Sequence, residues 1–195
     1  DRDIVFFAAQ SFAEFLQAEF PTIRTVVIAR DSRPTGAALL KEAVTAFAAA
    51  GNTSAATSSA VLAIQSVVIA AAPEIMAYAR SAGAAFMYIS ASHNPIGHNG
   101  FKFGLDTGGV LDGSQSARLI ALFTQKCAAA HQDTAAVLRK QAASAPVHAV
   151  FEAEAAHKQA ALTAYQNFLQ EVIADSKDSA EQARFFDGIR AQCTA

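Results

Sequence analysis

Cysteine, proline and tryptophan are scarce in this chain: two, five and none among 195 residues. The two cysteines, Cys127 and Cys193, stand far apart and have neither metal nor redox spacing. That excludes a disulfide framework and a thiolate zinc site, and fits two free thiols in a reducing cytoplasm. Charge of one sign is also missing. Fifteen Lys and Arg face seventeen Asp and Glu, a formal net charge of −2. No global basic field draws this chain to nucleic acid or to an anionic membrane. No apolar run reaches transmembrane length. The opening Asp1-Arg2-Asp3 argues against a signal peptide.

What is present is apolar bulk. Hydrophobic residues make up 52% of the chain, enough for one compact α/β domain and an appendage. Apolar residues at 5, 8, 9, 12, 15 and 16 have helical spacing, so a helix is expected over Val5 to Glu19. Ile23 to Ala29 reads as a buried strand. Pro34-Thr35-Gly36 opens a helix to about Ala50, with Leu40, Ala43, Val44 and Phe47 on one face. Thr53 to Ala60 reads as loop or weak edge strand, and Val67 to Ala70 as the better strand. Pro73 suits the first turn of a helix from Glu74 to Ser81, which Gly83 ends.

A third strand, Ala84 to Ile89, runs directly into Ser90-Ala91-Ser92-His93-Asn94-Pro95. A serine just past a buried strand is presented at the strand's carboxyl end, where open α/β sheets bind ligands. Asn94-Pro95 and Asn99-Gly100 are turn signals, so the loop folds back and Lys102 returns towards Ser92. Phe101 to Leu105 and Gly109 to Leu111 read as two short strands joined by a hairpin at Asp106-Thr107-Gly108. Ser114 is the expected N-cap of a helix to about Ala130. The alanine-rich tail from Thr134 to Arg190 reads as mainly helical, broken around Ser144-Ala145-Pro146. His131, His148 and His157 read as surface residues without partners. Gly104 to Gly109 is glycine-rich but has neither the P-loop lysine nor dinucleotide spacing.

The serine loop resembles that of the α-D-phosphohexomutases, the phosphoglucomutases and phosphomannomutases. Their pattern reads Thr-(Ala/Gly)-Ser-His-Asn-Pro, then Asn-Gly and Lys; here Ser90 replaces the threonine, and His98 stands where tyrosine is common. Thr25 to Pro34 is similar to the family's first strand and its Gly-Arg-Asp-(Thr/Ser)-Arg turn, with Ala29 in place of glycine. The resemblance covers roughly residues 5 to 130.

It implies a three-layer α/β/α fold with a mixed, mostly parallel sheet, followed by a helical C-terminal segment. It divides the chain into 1–150, the serine-bearing first domain, and 151–195, helices leading toward an absent second domain. The implied activity is that of an isomerase. A phosphoserine, here Ser92, exchanges phosphate with the 1- and 6-positions of a hexose phosphate through a hexose 1,6-bisphosphate, which also serves as activator. Lys102 is implied to assist proton transfer. His93 either bonds the phosphate or shuttles a proton, or it only orients the loop. Asn94 and Asn99 shape the loop. Arg30, Asp31 and Arg33 are implied to brace it, with Arg33 turned to the phosphate through its forked donors. No role is assigned to His98.

Magnesium is the implied metal, and in this chain Ser92 would hold it only through its phosphate. The sequence has no Asp-Gly-Asp-x-Asp-Arg loop, no Gly-Glu-x-Ser-Gly loop and no opening Gly-Thr-(Asp/Ser)-Gly-Ile-Arg segment. The expected partners are hexose phosphates and the remaining mutase domains, without nucleic acid or membrane. The chain is accordingly expected to be a fragment inactive alone. The rival from another class is a stand-alone, non-catalytic module that binds a sugar phosphate or a partner. Within enzymes, a sugar-bisphosphate synthase is the lesser rival.

Overall fold

The computed structural model describes residues 2–53, 62–131, 133–142 and 147–193. Helix α1 spans Arg2–Glu19, strand β1 Thr25–Arg30, α2 Gly36–Thr53, β2 Ala63–Ile69, α3 Ala72–Ala82, β3 Ala85–Ile89 and β4 Phe101–Gly104. Five helices follow: α4 Gly113–Ala129, α5 Thr134–Ala142, α6 Val147–Glu152, α7 Glu154–Ala174 and α8 Ser179–Cys193. The sheet order is β2-β1-β3-β4. β1 pairs in parallel with β2 and β3, and β4 closes the sheet antiparallel to β3.

The strands alternate with period two, because successive side chains leave on opposite faces. Val26 and Ile28 of β1 and Ala85, Met87 and Ile89 of β3 enter the core beneath α1 and α2. Val27, Ala29, Phe86 and Tyr88 enter a second core beneath α3, which also takes Ala161 of α7. Helices thus cover both faces, the three layers expected. All five β3 residues are buried, which is why this strand reads as an unbroken apolar run.

The helical spacing in α1 translates directly into burial: Val5, Ala8, Ala9, Phe12, Phe15 and Leu16 all lie in the core. Leu40, Ala43, Val44 and Phe47 of α2 do the same. Gly83 caps α3 with φ of 58°, a left-handed conformation that glycine adopts without a Cβ clash. Gly104 serves a different need, since a Cβ there would stand 2.1 Å from the Phe86 ring.

Several boundaries differ from the sequence reading. α1 begins at Arg2, and α2 continues to Thr53 through Gly51-Asn52. β2 starts at Ala63, four residues before the expected run, because Gln65 and Ser66 find partners. Tyr78 Oη donates to Gln65 at 2.9 Å, and Ser66 Oγ donates to Glu154 at 2.5 Å. Gly109 to Leu111 forms no strand; the chain turns back at Leu105 to Gly109 and makes one bridge, Gly104 to Val110. The N-cap of α4 is Asp112, not Ser114. Asp112 accepts from the Gln115 N–H, and the Gln115 side chain accepts from the Asp112 N–H, a capping box. His148 has a partner after all, Glu152 at 3.1 Å, and His157 is half-buried. The break near Ser144-Ala145-Pro146 lies outside the described residues, as does the expected loop or edge strand from residue 54 to residue 60.

Candidate functional site

β1 and β3 are parallel neighbours, so their carboxyl ends share one edge of the sheet. β1 continues into α2 and β2 on one side, while α3 covers the opposite face on its way to β3. A crevice opens where the chain departs in opposite directions, the usual ligand position in such sheets. A cavity of about 610 Å3 occupies it, lined by Asp31, Ser32, Arg33, Ala71, Ala72, Tyr88, Ser90, Ser92, His93, Ile96 and Lys102. Four of the residues singled out in the sequence for chemistry or support line it from β1 and β3 loops, namely Asp31, Arg33, Ser92 and His93. Lys102 joins them from β4.

Ser92 has φ of 56°, in the left-handed region that non-glycine residues rarely enter. The loop over-determines that conformation. The Ser92 N–H donates to Ser90 Oγ at 3.1 Å, and its carbonyl accepts from Arg33 Nη2 at 3.1 Å. Arg33 Nη2 also donates to the Asn94 carbonyl at 2.5 Å, while Nη1 donates to Asp31 Oδ2 at 2.5 Å. Both terminal nitrogens of the guanidinium are therefore engaged by the protein. Arg33 Nε is buried without a partner. His93 Nδ1 stands 3.3 Å from Ser92 Oγ.

Behind the serine, Asp31 ties the two strands together. Its N–H donates to the Ile89 carbonyl, and its Oδ1 accepts from the Arg33 N–H at 3.0 Å. Burial pushes its carboxyl up. The Arg33 N–H, the Ser90 hydroxyl and the Arg33 guanidinium outweigh that, and the carboxyl lies below the ordinary aspartate value. The other support residues sit further out. Arg30 Nη1 donates to the Asp31 carbonyl at 3.0 Å, and its stem packs over Gly36, outside the cavity lining. Asn99 Nδ2 donates to Thr35 Oγ1 at 3.0 Å, holding the far arm of the serine loop against the start of α2. The Asn94 N–H closes a turn onto the Ala91 carbonyl. His98 only closes a turn onto Pro95.

The sequence reading passed over Tyr88 and Ser90, which form the floor. Tyr88 Oη donates to the Ala70 carbonyl at 2.8 Å, and Lys102 Nζ lies 5.6 Å from its ring centroid. The period of two signals both: Phe86, Tyr88 and Ser90 occupy alternate positions ending at the serine loop. α3 opens at the wall, at Ala71-Ala72, without a side-chain cap, so its positive helix end is left open to the cavity. Arginine, lysine and a helix end around an exposed hydroxyl suit a phosphate-bearing ligand. A second depression of about 500 Å3, between α1, β4 and α4, is apolar apart from Lys102 and Ser116 at its lining.

The cavity is not by itself a magnesium site. Its one carboxylate is Asp31, and both oxygens of Asp31 are already taken by Arg33. Among the described residues no group of three or more His, Cys, Asp or Glu could hold a metal ion. Nor is any helix among them long and apolar enough to cross a membrane.

A mixed sheet between two helical layers, with the serine loop at its switch point, makes this an α/β/α domain. Residues 1–129 match the family described as phosphoglucomutase/phosphomannomutase, alpha/beta/alpha domain I, and this chain belongs to that family. No curated protein matches the chain.

Proposed function

We propose that this chain is the phosphoserine-bearing part of a phosphohexomutase. The observation that carries this reading is Ser92, held in a left-handed conformation over a cavity that also presents Lys102 and His93. Phosphoryl transfer is mostly positioning and charge stabilisation, and a rigid, exposed hydroxyl among cations supplies both.

In the proposed cycle phosphorylated Ser92 gives its phosphoryl group to a free hydroxyl of a hexose monophosphate. The Ser92 oxygen–phosphorus bond breaks as the bond to the sugar oxygen forms, and Lys102 assists the departure of that hydroxyl's proton. The hexose 1,6-bisphosphate turns over and returns its other phosphoryl group to Ser92. His93 bonds the phosphate at Ser92, and the open end of α3 stabilises its charge. Arg33 keeps the loop in place with its η nitrogens. Magnesium in this reading takes its carboxylates from residues other than those described, and no step is assigned to it here. The hexose phosphates are glucose and mannose phosphates, and the compartment is the cytoplasm. Without the magnesium and sugar-recognition loops, this chain alone does not convert glucose 1-phosphate.

The test is the native gene product, isolated from its own cells and analysed by intact mass and phosphopeptide mapping. One phosphoryl group on Ser92 supports the mutase reading. An unphosphorylated product of about the mass of this chain overturns it and favours a non-catalytic sugar-phosphate or partner-binding module.

A further inference from the structure

Ser90 carries no chemistry of its own, yet it sits at the centre of the bonds that shape Ser92. It is buried at the end of β3, two residues before the exposed serine, and it lines the same cavity. Its oxygen accepts the Ser92 N–H at 3.1 Å. The Asp31 carboxylate, which lines the same cavity, is fixed by both the amide and the guanidinium of Arg33. The Ser90 N–H is committed to the Gly100 carbonyl at 2.9 Å, so its backbone cannot swing to meet Ser92.

The Ser90 oxygen accepts through a lone pair, so the Ser92 amide is tied to the end of β3. The Ser92 carbonyl is tied to the turn after β1 through Arg33. Fixing the groups on both sides of one α-carbon is what holds an L-residue at φ of 56°.

We infer that Ser90 is a positioning residue for phosphoryl transfer at Ser92: its hydroxyl oxygen accepts the Ser92 amide and, with the Arg33 bond to the Ser92 carbonyl, sets the left-handed backbone that presents Ser92 Oγ. This rests on the mutase reading for its functional consequence, though the conformational role stands independently of it. That role demands a hydroxyl on the β-carbon of residue 90. Threonine satisfies that demand and alanine does not.

The experiment uses the full chain as wild type, Ser90→Ala and Ser90→Thr, each labelled with 15N and 13C. Backbone couplings and chemical shifts report φ at Ser92, and exchange with solvent reports its amide bond. In Ser90→Ala the Ser92 φ leaves the left-handed region and its amide exchanges at least about tenfold faster, as loss of one bond of ordinary strength allows. In Ser90→Thr both stay as in wild type. Glucose 1,6-bisphosphate with magnesium is then offered to the native gene product carrying the same three residues at position 90, and phosphate on Ser92 is followed by mass. Ser90→Ala is expected to slow its appearance about tenfold, and Ser90→Thr to restore it. If Ser92 keeps its conformation and amide protection in Ser90→Ala, the inference is overturned. Equal, measurable labelling rates in wild type and Ser90→Ala overturn it too. If wild type takes up no phosphate while the conformational result holds, the mutase reading fails and the conformational role of Ser90 survives. Should Ser90→Ala fail to fold, Ser90→Cys, which weakens the acceptor and keeps the side-chain shape, must speed exchange at the Ser92 amide; unchanged exchange overturns the inference.

Discussion

Arg33 reaches across 59 residues of sequence to donate from Nη2 to the carbonyl oxygen of Ser92 at 3.1 Å. The same nitrogen serves Asn94, and its neighbour serves Asp31. A planar fork can do this and a lysine ammonium cannot, because three acceptors lie in one guanidinium plane's reach. Arg33→Ala is expected to cost the loop about 1.5–3 kcal/mol, the worth of bonds to a charged group, or roughly ten- to a hundredfold in its local opening. Arg33→Lys should recover only part. Hydrogen exchange at the Asn94 amide, which closes the turn onto Ala91, measures the loss. Exchange as slow in Arg33→Ala as in wild type would show that the clamp contributes nothing.

The same loop should open in acid. The Asp31 carboxyl lies below its ordinary value because the bonds it accepts outweigh its burial. A depressed carboxyl contributes stability above the unfolded value, about 3.9, and that contribution is lost as pH falls through the folded value. The Ser92 amide resonance should move as the solution is taken below about pH 4. Asp31→Asn removes this step. A titration of Ser92 that is identical in Asp31→Asn would assign it to another group.

Much of this was legible in the residues. β1 and β3 are buried on both faces, so each appears as a continuous apolar run without interruption. The serine loop is legible for a different reason, since several uncommon residues fall at fixed offsets around Ser92. β2 was only half legible. Ser66 is fully buried because Glu154, 88 residues onward, accepts from it, and no local pattern announces a partner so distant. Val68 has φ of 60° at a register shift, a bulge that β-branched chemistry argues against. The role of α7 was hidden too. Its one fully buried residue is an alanine, Ala161, and alanines are spread along the whole tail.

One cation, Lys158, helps to fix α7 beside the sheet. Lys158 Nζ donates to Glu74 at 2.5 Å and to the Ile69 carbonyl at 2.7 Å. Glu74 is 8% exposed and Lys158 31%, so the pair lies between a surface bridge and a buried one. Removing the lysine leaves a buried carboxylate without its counter-charge. Lys158→Met is therefore expected to destabilise by about 1–3 kcal/mol, between the surface and buried ranges. Lys158→Met with Glu74→Gln should cost less than the two single changes added together, because the uncompensated charge is gone. Urea unfolding of the four proteins measures the cycle, and strictly additive losses would remove the pair from the account.

Gly104 gives the sharpest packing prediction. It closes β4 opposite Phe86, and any Cβ would stand 2.1 Å from that ring and 2.4 Å from the Gly109 carbonyl oxygen. The ring is fully buried. The carbonyl belongs to the turn that brings Leu105 and Gly109 together, so it cannot retreat without opening that turn. Gly104→Ala is expected to cost at least about 1–3 kcal/mol, the range for overpacked sites. Phe86→Leu alone makes room on one side only. In the double variant Gly104→Ala with Phe86→Leu the carbonyl contact persists, so stability should stay below that of Phe86→Leu alone. Thermal unfolding of the three variants decides it: full recovery in the double variant would place the whole conflict at the ring and none at the turn.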